Sequence, residues 1–454
     1  MSSSKDRERL VIIGGVAAGM SAAARARRTN GDLEIVAFEK TGYVSYGSCG
    51  LPYFIGGVVK NADDLIARTP EQFAQQNIEA RTHHEVRAID TMNKQVTVRD
   101  LEGGREFTLE YDKLVVASGG TALRPPIPGV DLEGVFVLRN VEDGIAVKEF
   151  IAHEKPRRAV IIGAGYIGVE VAEAFTGLGL ETTMLNRPSQ VLNNFDPDIA
   201  QLMQDELERN GVKISVDDTA LGVEGDTSGR ARMVLSQQGR YEADLVLIGA
   251  GVRAQSRLAE EAGIALGAKG AIAVDERMRT NVPDVYAAGD CAETRHALLD
   301  KPSYIPLGTT ANKQGRVAGT NAAGGEAAFT GVVGTAITKA FELGVAVTGL
   351  TGKAAEESGI PARAQTIRHG TRAHYYPSPG PMHIKLVWDS EDGRLLGAQI
   401  AGPVPEAKRI DVFATALHHG LTIGDLQRLD LSYAPPFAPV WDPILVAANV
   451  AAKN

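Results

Sequence analysis

The chain has 454 residues, 44% of them hydrophobic and 23% charged, with a net charge of −9. This length allows roughly three domains of about 150 residues each. No Lys/Arg cluster indicates a nucleic-acid partner. The apolar runs are too short to cross a bilayer, and the polar N-terminus lacks the apolar core of a signal peptide. We therefore expect a cytoplasmic protein with no membrane partner and no metal.

The first motif is a strand–turn–helix–strand unit at the N-terminus. Residues 10–13 form a short apolar run, followed by the turn Gly14-Gly15-Val16-Ala17-Ala18-Gly19 and helix-forming residues 20–28. A second strand, 34–38, ends at Glu39, which lies 25 positions after Gly14. Val16 stands where the usual fingerprint has its middle glycine, whereas Glu39 occupies the ribose-binding place.

The same pattern returns 149 residues later. Strand 159–162 leads into Gly163-x-Gly165-x-x-Gly168, helix 169–178 and strand 182–185. In this fingerprint the glycines allow a tight turn, close approach of a pyrophosphate and close helix packing, with the phosphates at the helix N-terminus. After the last strand stands Asn186-Arg187 instead of a carboxylate. Because an arginine can pair with a 2′-phosphate, we expect NADPH, with NADH left open.

Two nucleotide units in one chain predict two dinucleotides, most economically a flavin and a nicotinamide. Between and after these units we expect a hairpin at 96–109 and strands at 114–120, 243–251 and 285–290. The last of these strands ends at Gly289-Asp290, where the carboxylate can reach a ribityl hydroxyl. From Gly331 the pattern changes to antiparallel strands at 336–341, 346–350, 383–388 and 395–401, then a helix at 407–419.

The predicted fold is therefore α/β, with two Rossmann-like nucleotide-binding domains and a C-terminal α+β domain. We expect a discontinuous FAD-binding domain at 1–118 and 270–327. An NAD(P)H-binding domain follows at 119–269, and a dimerisation domain at 328–454.

Cys49 is one of two cysteines, too few for a disulfide framework. It lies in the segment 45–53, and Phe54 stands five positions on, where a flavin disulfide oxidoreductase has a second cysteine. A helix beginning nearby predicts a lowered thiol pKa. Without a resolving partner, Cys49 must cycle through a mixed disulfide with a small thiol or through a sulfenic acid. Cys291 is expected to be an inert packed thiol.

Segments 11–28, 45–53, 111–119, 161–170, 280–291 and 430–437 together resemble the pyridine nucleotide–disulfide oxidoreductases. Within that family the chain is similar to the single-cysteine branch, which holds coenzyme A (CoA) disulfide reductase, NADH oxidase, NADH peroxidase and persulfide reductase. Of these members, the activity that we expect is that of CoA disulfide reductase. The resemblance implies a glutathione reductase-like fold, bound FAD, electrons from NADPH or NADH, and a homodimer whose third domain reaches the partner's site.

By the same resemblance, Cys49 is the redox cysteine that forms a mixed disulfide with CoA, and Tyr375 and Tyr433 are the proton-donating phenols. The FAD-binding residues implied are Gly14, Ala17, Gly19, Glu39, Lys40, Val86, Ser118, Gly119 and Asp290. The NAD(P)-binding residues implied are Gly163, Gly165, Ile167, Gly168, Glu170, Asn186, Arg187 and Gly251. The CoA-binding residues implied are Ser21, Arg25, Arg28, Ser45, Ser48 and Asn312.

The chain departs from the CoA reductases at three positions. Ser48 replaces an asparagine, Asn77 stands near a phosphate-binding lysine, and Asn312 stands near a contacting histidine. Three alternatives therefore stay open. They are an NADH oxidase or peroxidase with a Cys49 sulfenic acid, a persulfide or polysulfide reductase, and a flavin redox sensor without turnover. Residues 8–13 lack the histidine usual in peroxidases.

Overall fold

The computed structural model describes residues 7–453. The elements of the first part are β1 (Arg9–Ile13), α1 (Ala17–Thr29), β2 (Glu34–Phe38), α2 (Leu51–Ile55), α3 (Pro70–Ala74), β3 (Ile78–Arg81), β4 (His84–Asp90), β5 (Gln95–Asp100), β6 (Glu106–Glu110), β7 (Lys113–Val116) and β8 (Gly120–Ala122). The middle part contains β9 (Val135–Val137), α4 (Val141–Glu154), β10 (Arg158–Ile162), α5 (Tyr166–Gly177), β11 (Glu181–Leu185), α6 (Pro197–Arg209), β12 (Lys213–Ser215), β13 (Ala220–Gly225), β14 (Ala231–Ser236), β15 (Arg240–Glu242), β16 (Leu245–Ile248), β17 (Val252–Ala254) and α7 (Arg257–Glu261).

The elements of the last part are β18 (Val285–Ala287), β19 (Thr294–His296), β20 (Lys301–Ser303), α8 (Gly308–Ala322), β21 (Ala336–Ala340), β22 (Leu343–Gly349), α9 (Gly352–Glu357), β23 (Ala362–Gly370), β24 (Pro381–Asp389), β25 (Leu395–Pro403), α10 (Ile410–His418), α11 (Ile423–Gln427) and α12 (Pro443–Ala451). No helix among residues 7–453 is long and apolar enough to cross a membrane.

Two five-stranded parallel sheets are built around the same strand–turn–helix–strand connection. The first has the strand order β18-β7-β1-β2-β3, and the second has the order β12-β11-β10-β16-β9. In each, a glycine turn and a helix connect two adjacent parallel strands, β1 to β2 and β10 to β11. Both central strands are buried after their first residue, as strands covered on both faces must be. The predicted duplication is thus present in the fold.

The third large sheet is antiparallel, with the order β21-β22-β25-β24-β23. Helices α10, α11 and α12 pack against it through an apolar cluster that includes Phe413 and Leu426, both fully buried. Smaller sheets, β4-β5-β6 and β13-β14-β15, flank the two parallel sheets. The α/β fold class with a C-terminal α+β unit is as predicted.

Helix α1 lies unusually close to α8 because small residues face each other. A Cβ atom added at Gly315 or Gly319 would lie 2.2 Å from the carbonyl oxygen of Ala18 or Ala22, respectively. This packing joins the N-terminal nucleotide unit to a helix almost 300 residues later in the chain. It brings Ser21 and Asn312 together.

The predicted elements differ from the observed ones mainly at their ends. The helices predicted from residues 20 and 169 begin earlier, at Ala17 and Tyr166. The strand predicted to reach residue 120 ends at Val116, because Gly119 has φ +73° and turns the chain into β8. The helix predicted from 407 begins as a 3₁₀ turn, Val404–Arg409, before α10. Strand β23 was missed.

Candidate active site

Cys49 lies on an exposed 3₁₀ turn, Ser48–Gly50, that runs directly into α2. The preceding loop is held from both sides. Ser45, which has φ +50°, donates its N–H to the carbonyl of Gly15 at 2.8 Å, and Gly47 donates to the carbonyl of Leu65 at 2.9 Å. The cysteine is therefore fixed beside the first glycine turn. This is the location expected from its place after β2.

The lowered pKa expected for Cys49 is wrong. Protein atoms around the sulfur exclude enough water to raise the pKa of the thiol, and the carboxylates of Glu170 and Asp290 raise it further. The guanidinium of Arg139 and a backbone hydrogen bond act in the opposite direction. Helix α2 has only five residues, so its N-terminal dipole does not outweigh burial and two carboxylates.

The chain offers Cys49 no second thiol. Cys291 is fully buried and donates weak hydrogen bonds to the carbonyls of Val116 and Ala288, each at 3.4 Å, as expected for a packed thiol. Phe54, at the position of a second cysteine, packs into the core with only 5% of its surface exposed. The ammonium of Lys148 lies 4.0 Å from the centre of its ring. This position therefore strengthens the core beneath α2 and adds nothing reactive.

The first glycine turn fits a dinucleotide. A Cβ on Gly14, whose φ is +105°, would lie 2.1 Å from the carbonyl oxygen of Ala117, and one on Gly19 would lie 1.8 Å from that of Gly14. No side chain caps α1, so its first amides stay open to a phosphate. Glu39 is buried at the end of β2 and accepts from the N–H of Gly15 at 2.8 Å. The carboxylate also accepts from the N–H and the hydroxyl of Thr41, each at 2.9 Å, and about one of its roughly four lone-pair sites is left for a ribose hydroxyl.

The remaining residues predicted to bind FAD surround this turn. Ser118 and Gly119 follow β7, and the Ser118 hydroxyl donates to the carbonyl of Gln255 at 2.7 Å. Asp290 follows β18, and its carboxylate accepts from the guanidinium of Arg139 at 2.7 Å. Two others were predicted from the family alone: Lys40 is exposed after Glu39, and Val86 lies in β4.

Arg139 was missed by sequence reasoning. It lies between β9 and α4, where no motif marks it, and it also donates to the carbonyl of Gly120 at 3.0 Å. Its contact with Asp290 spans 151 positions of the chain. It therefore brings a positive charge from the edge of the second parallel sheet to the end of β18, close enough to influence Cys49.

The second glycine turn is more open than the first. A Cβ on Gly163 or Gly168 would collide with backbone oxygens, whereas Gly165 has nothing within 4 Å of that position. No side chain caps α5, which begins at the next residue and includes Ile167. Gly251, with φ +112°, follows β16 at the same edge of the sheet. This is the geometry that a close-lying pyrophosphate requires.

Asn186 and Arg187 have different surroundings. The Asn186 side chain is buried, accepts from the N–H of Ala164 at 3.0 Å and donates to the carbonyl of Gln190 at 2.6 Å. It therefore holds the glycine turn in shape. Arg187 is exposed beside it.

Glu170 and Tyr166 lie on α5 between the nucleotide turn and the third sheet. The Glu170 carboxylate accepts from the hydroxyl of Thr338 on β21 at 2.9 Å, and burial raises its pKa to about 7. Tyr166 was missed, although it directly follows Gly165. Its hydroxyl accepts a hydrogen bond from the side-chain amide of Asn194, and burial raises its pKa to about 12.

Tyr375 and Tyr433 come together although they lie in two different loops, one between β23 and β24 and the other between α11 and α12. Their hydroxyls are 3.3 Å apart, and the side chains are 65% and 46% exposed. The exposed side chains of Phe437, Val440 and Trp441 lie in the same C-terminal segment as Tyr433. Within residues 7–453 of one chain, no hydrogen bond joins either phenol to Cys49.

The residues predicted to bind CoA divide into two groups. Ser45 and Ser48 are in the Cys49 loop. The others line the junction of α1 with α8, where the Ser21 hydroxyl donates to Asn312 at 2.7 Å and Arg25 donates to the Thr320 hydroxyl at 3.0 Å. Arg28 is exposed at the end of α1. Asn312 thus has a partner that was not predicted.

Comparison with known proteins supports this geometry. Residues 8–315 match the pyridine nucleotide-disulphide oxidoreductase family, and residues 335–443 match the dimerisation domain of that family. The chain is 40% identical to an NAD(P)H coenzyme A polysulfide/persulfide reductase of Pyrococcus horikoshii over 98% of each chain. It is 37% identical to an NADH oxidase of Methanocaldococcus jannaschii, over 98% of this chain and 99% of the other.

Two further similar proteins have names that refer to CoA. A coenzyme A disulfide reductase of Staphylococcus haemolyticus is 32% identical over 95% of this chain and 96% of its own. The crystal structure of reduced Bacillus anthracis CoADR-RHD superposes with a TM-score of 0.95 at 34% identity. It covers 99% of this chain and 81% of the other.

The chain belongs to the pyridine nucleotide-disulphide oxidoreductase family. The predicted fold, family and oxidoreductase class are confirmed, and the predicted FAD and nicotinamide nucleotide agree with this family and its relatives. The domain boundaries and the roles of individual residues stay predictions.

Proposed function

We propose that this protein reduces sulfur–sulfur bonds that carry CoA, using NAD(P)H and FAD, through Cys49. The observation that carries the proposal is an exposed cysteine whose only companion thiol in the chain, Cys291, is fully buried. A disulfide of Cys49 therefore does not close within the chain, and a small molecule is the other half that we propose. Relatives named for CoA disulfide and for CoA polysulfide/persulfide reduction point to CoA as that molecule.

Two cofactors fit the glycine turns. The Gly14 turn with Glu39 would hold FAD, and the Gly163 turn would hold the nicotinamide nucleotide, with Arg187 placed to meet a 2′-phosphate. When bound, the two supply the electron pair that cleaves the disulfide of Cys49. The protein's own contribution is to keep that cysteine beside the first turn.

The sulfur chemistry is a thiol–disulfide exchange. The Cys49 thiolate attacks one sulfur of CoA disulfide, a Cys49–CoA bond forms, and one CoA leaves as a thiolate. With a CoA persulfide, the same mixed disulfide forms and hydrosulfide leaves. Two electrons and a proton then return Cys49 to the thiolate and release CoA as a thiol. Both substrates thus share one intermediate, which fits relatives of both names.

The leaving thiolate needs a proton donor, and we assign that role to Tyr375 and Tyr433. Their hydroxyls form a pair on an exposed surface of the segment that matches the dimerisation domain. In a homodimer, the pair of one subunit would serve Cys49 of the other. This arrangement accounts for two tyrosines whose side chains stay exposed in one chain, although the Tyr375 ring meets the edge of the neighbouring His374 ring at 5.3 Å.

CoA itself would lie along the α1–α8 junction. Arg25 and Arg28 offer positive charge to its phosphates, and Ser21, Asn312, Ser45 and Ser48 offer hydrogen bonds. Asn77 lacks the positive charge that the family has near this position. The CoA contacts therefore rest on fewer cations than the family pattern has.

The deciding experiment is turnover by the FAD-loaded protein with CoA disulfide, CoA persulfide, oxygen and peroxide as separate oxidants. Intact mass of the denatured, unreduced protein is measured in parallel. A CoA-sized adduct on Cys49 and disulfide or persulfide turnover support the proposal. A gain of one to three oxygens, with oxygen or peroxide as the only productive oxidants, supports the oxidase or peroxidase alternative. Flavin reduction without turnover on any oxidant supports the sensor.

A further inference from the structure

Two surface loops carry the paired tyrosines. The Tyr375 loop, residues 371–380, connects β23 to β24, and the Tyr433 loop, residues 428–442, connects α11 to α12. The contact between the hydroxyls alone does not explain why the two loops keep a fixed position relative to each other, since the Tyr375 and Tyr433 side chains are 65% and 46% exposed. A set of ion pairs that joins the two loops explains it.

Glu406 and Arg409 form the centre of this set, on the 3₁₀ turn Val404–Arg409. Arg409 pairs with Glu406, and its Nε lies 3.2 Å from a carboxylate oxygen of Asp442, the last residue of the Tyr433 loop. It also donates to the carbonyl of Phe437, within that loop, at 2.7 Å. One guanidinium thus holds the Tyr433 loop at two points.

Glu406 reaches the other loop. Its second carboxylate oxygen lies 3.9 Å from the guanidinium of Arg372, three residues before Tyr375. The Glu406 and Arg409 side chains are only 13% and 16% exposed, and Asp442 is 9% exposed. Two arginines balance two carboxylates, so the cluster is neutral as a whole. At this burial, loss of one member leaves an unpaired charge that its neighbours move to accommodate.

We propose that Glu406 and Arg409 are positioning residues that hold the two tyrosine loops in register, so that the phenols of Tyr375 and Tyr433 form one proton-donating pair. The inference rests on the proposed role of that pair. Asp442 strengthens the arrangement, because its other oxygen accepts from the N–H of Ile444 and caps α12. The Tyr433 loop is thereby fixed to a helix at the same residue that binds Arg409.

A matched control lies next to Arg409. Lys408, on the same turn, pairs with Asp411 at the start of α10, and both side chains are more than half exposed. Among residues 7–453, no ion pair joins either of them to a tyrosine loop. Arg409→Gln and Glu406→Gln remove a charge from the cluster, Arg409→Lys keeps it without the planar fork, and Lys408→Gln removes the exposed pair. Melting temperature, dimer mass and flavin content are recorded for each.

The test is rapid mixing of the reduced, FAD-loaded protein with two disulfides. CoA disulfide has a poor leaving thiolate, whereas a nitro-substituted aryl disulfide has one that needs no proton donor. We expect Arg409→Gln and Glu406→Gln to slow reoxidation by CoA disulfide at least about tenfold. Their reoxidation by the aryl disulfide, and flavin reduction by NADPH, stay unchanged. The rate of reoxidation of Arg409→Lys by CoA disulfide should lie between those of the wild type and Arg409→Gln, and that of Lys408→Gln should match the wild type.

The inference is wrong if Arg409→Gln and Glu406→Gln slow reoxidation equally with both disulfides, or slow it with neither. The Tyr375→Phe/Tyr433→Phe double variant separates this result from failure of the proposed function. If the double variant is slow with CoA disulfide while Arg409→Gln is normal, the tyrosines act without the cluster and only the inference fails. If the double variant keeps full CoA disulfide turnover, the tyrosine role itself fails.

Discussion

The hydroxyls of Tyr375 and Tyr433 lie 3.3 Å apart, although 58 positions separate the two residues in the chain. Their hydrogen bond is the main cause that raises the pKa of Tyr433. A phenol with a raised pKa is protonated at neutral pH and holds its proton for a departing thiolate. The Tyr433 phenol thus carries the proton that the role assigned to it requires.

The first prediction concerns this pair. Tyr375→Phe/Tyr433→Phe is expected to lower the rate constant for reoxidation by CoA disulfide by about a hundredfold, because general acids contribute on this scale. Stopped-flow reoxidation of the reduced protein measures it. Tyr376→Phe, one position away, is the control and keeps wild-type rates. An equal loss in Tyr376→Phe would show that the loop is damaged in general.

The second prediction concerns Cys49. Cys49→Ser is expected to keep its FAD and its melting temperature, because the side chain is exposed and stands outside the core. Disulfide turnover falls by at least about a thousandfold, since a serine hydroxyl forms no mixed disulfide. Cys291→Ala, the control, keeps its turnover. Retained turnover in Cys49→Ser would refute the central role of this residue.

The sequence predicted what is local in the chain. Gly14, Gly163 and their partners could be found because one short segment specifies the turn, the helix and the next strand. Contacts that join distant segments left no such signal. Arg139 reaches Asp290 across 151 positions, and Glu170 reaches Thr338 across 168.

The pKa of Cys49 shows the same limit. A helix beginning nearby suggested a lowered value, whereas the carboxylates that raise it come from α5 and from the end of β18. Phe54 was recognised as a missing cysteine, but only the fold shows that its ring belongs to the core. Tyr375 and Tyr433 came from family resemblance alone.

The third prediction tests whether the positive charge of Arg139 offsets the effect of the nearby carboxylates on the pKa of Cys49. Arg139→Met leaves the Asp290 carboxylate without its guanidinium partner and removes a cation that lowers the pKa of Cys49. The thiolate should then form only at higher pH. The rate of Cys49 alkylation by iodoacetamide, measured against pH, should shift to higher pH. Arg124→Met, which removes an exposed pair with Asp131 and a hydrogen bond to the carbonyl of Val130, is the control and leaves the profile in place.

The fourth prediction concerns the nicotinamide nucleotide. Arg187→Ala is expected to raise KM for NADPH by about tenfold or more, because a charge-assisted contact to the 2′-phosphate is lost, and to leave KM for NADH unchanged. Steady-state kinetics with both nucleotides measure the ratio of KM for NADPH to KM for NADH. Arg157→Ala, at another exposed arginine before β10, keeps both values. Equal effects on both nucleotides would assign Arg187 no part in the preference.

The last prediction follows from Glu170, whose pKa is raised by burial from 4.5 to about 7. Between these values the folded protein binds a proton that the unfolded chain has released, so this group makes stability fall as pH rises from about 4.5 through about 7. A glutamine does not titrate, so Glu170→Gln does not lose stability over this pH range. We expect the variant to be more stable than the wild type at about pH 8, and this difference should shrink towards pH 5. The difference in unfolding free energy should be no more than about 3 kcal/mol, because solvent screens a partly exposed carboxylate. Urea unfolding of the FAD-loaded proteins measures the difference, and Glu173→Gln, which breaks the ion pair with Lys339, should be less stable at pH 8. An advantage of Glu170→Gln that did not change with pH would mean that Glu170 does not titrate in this range.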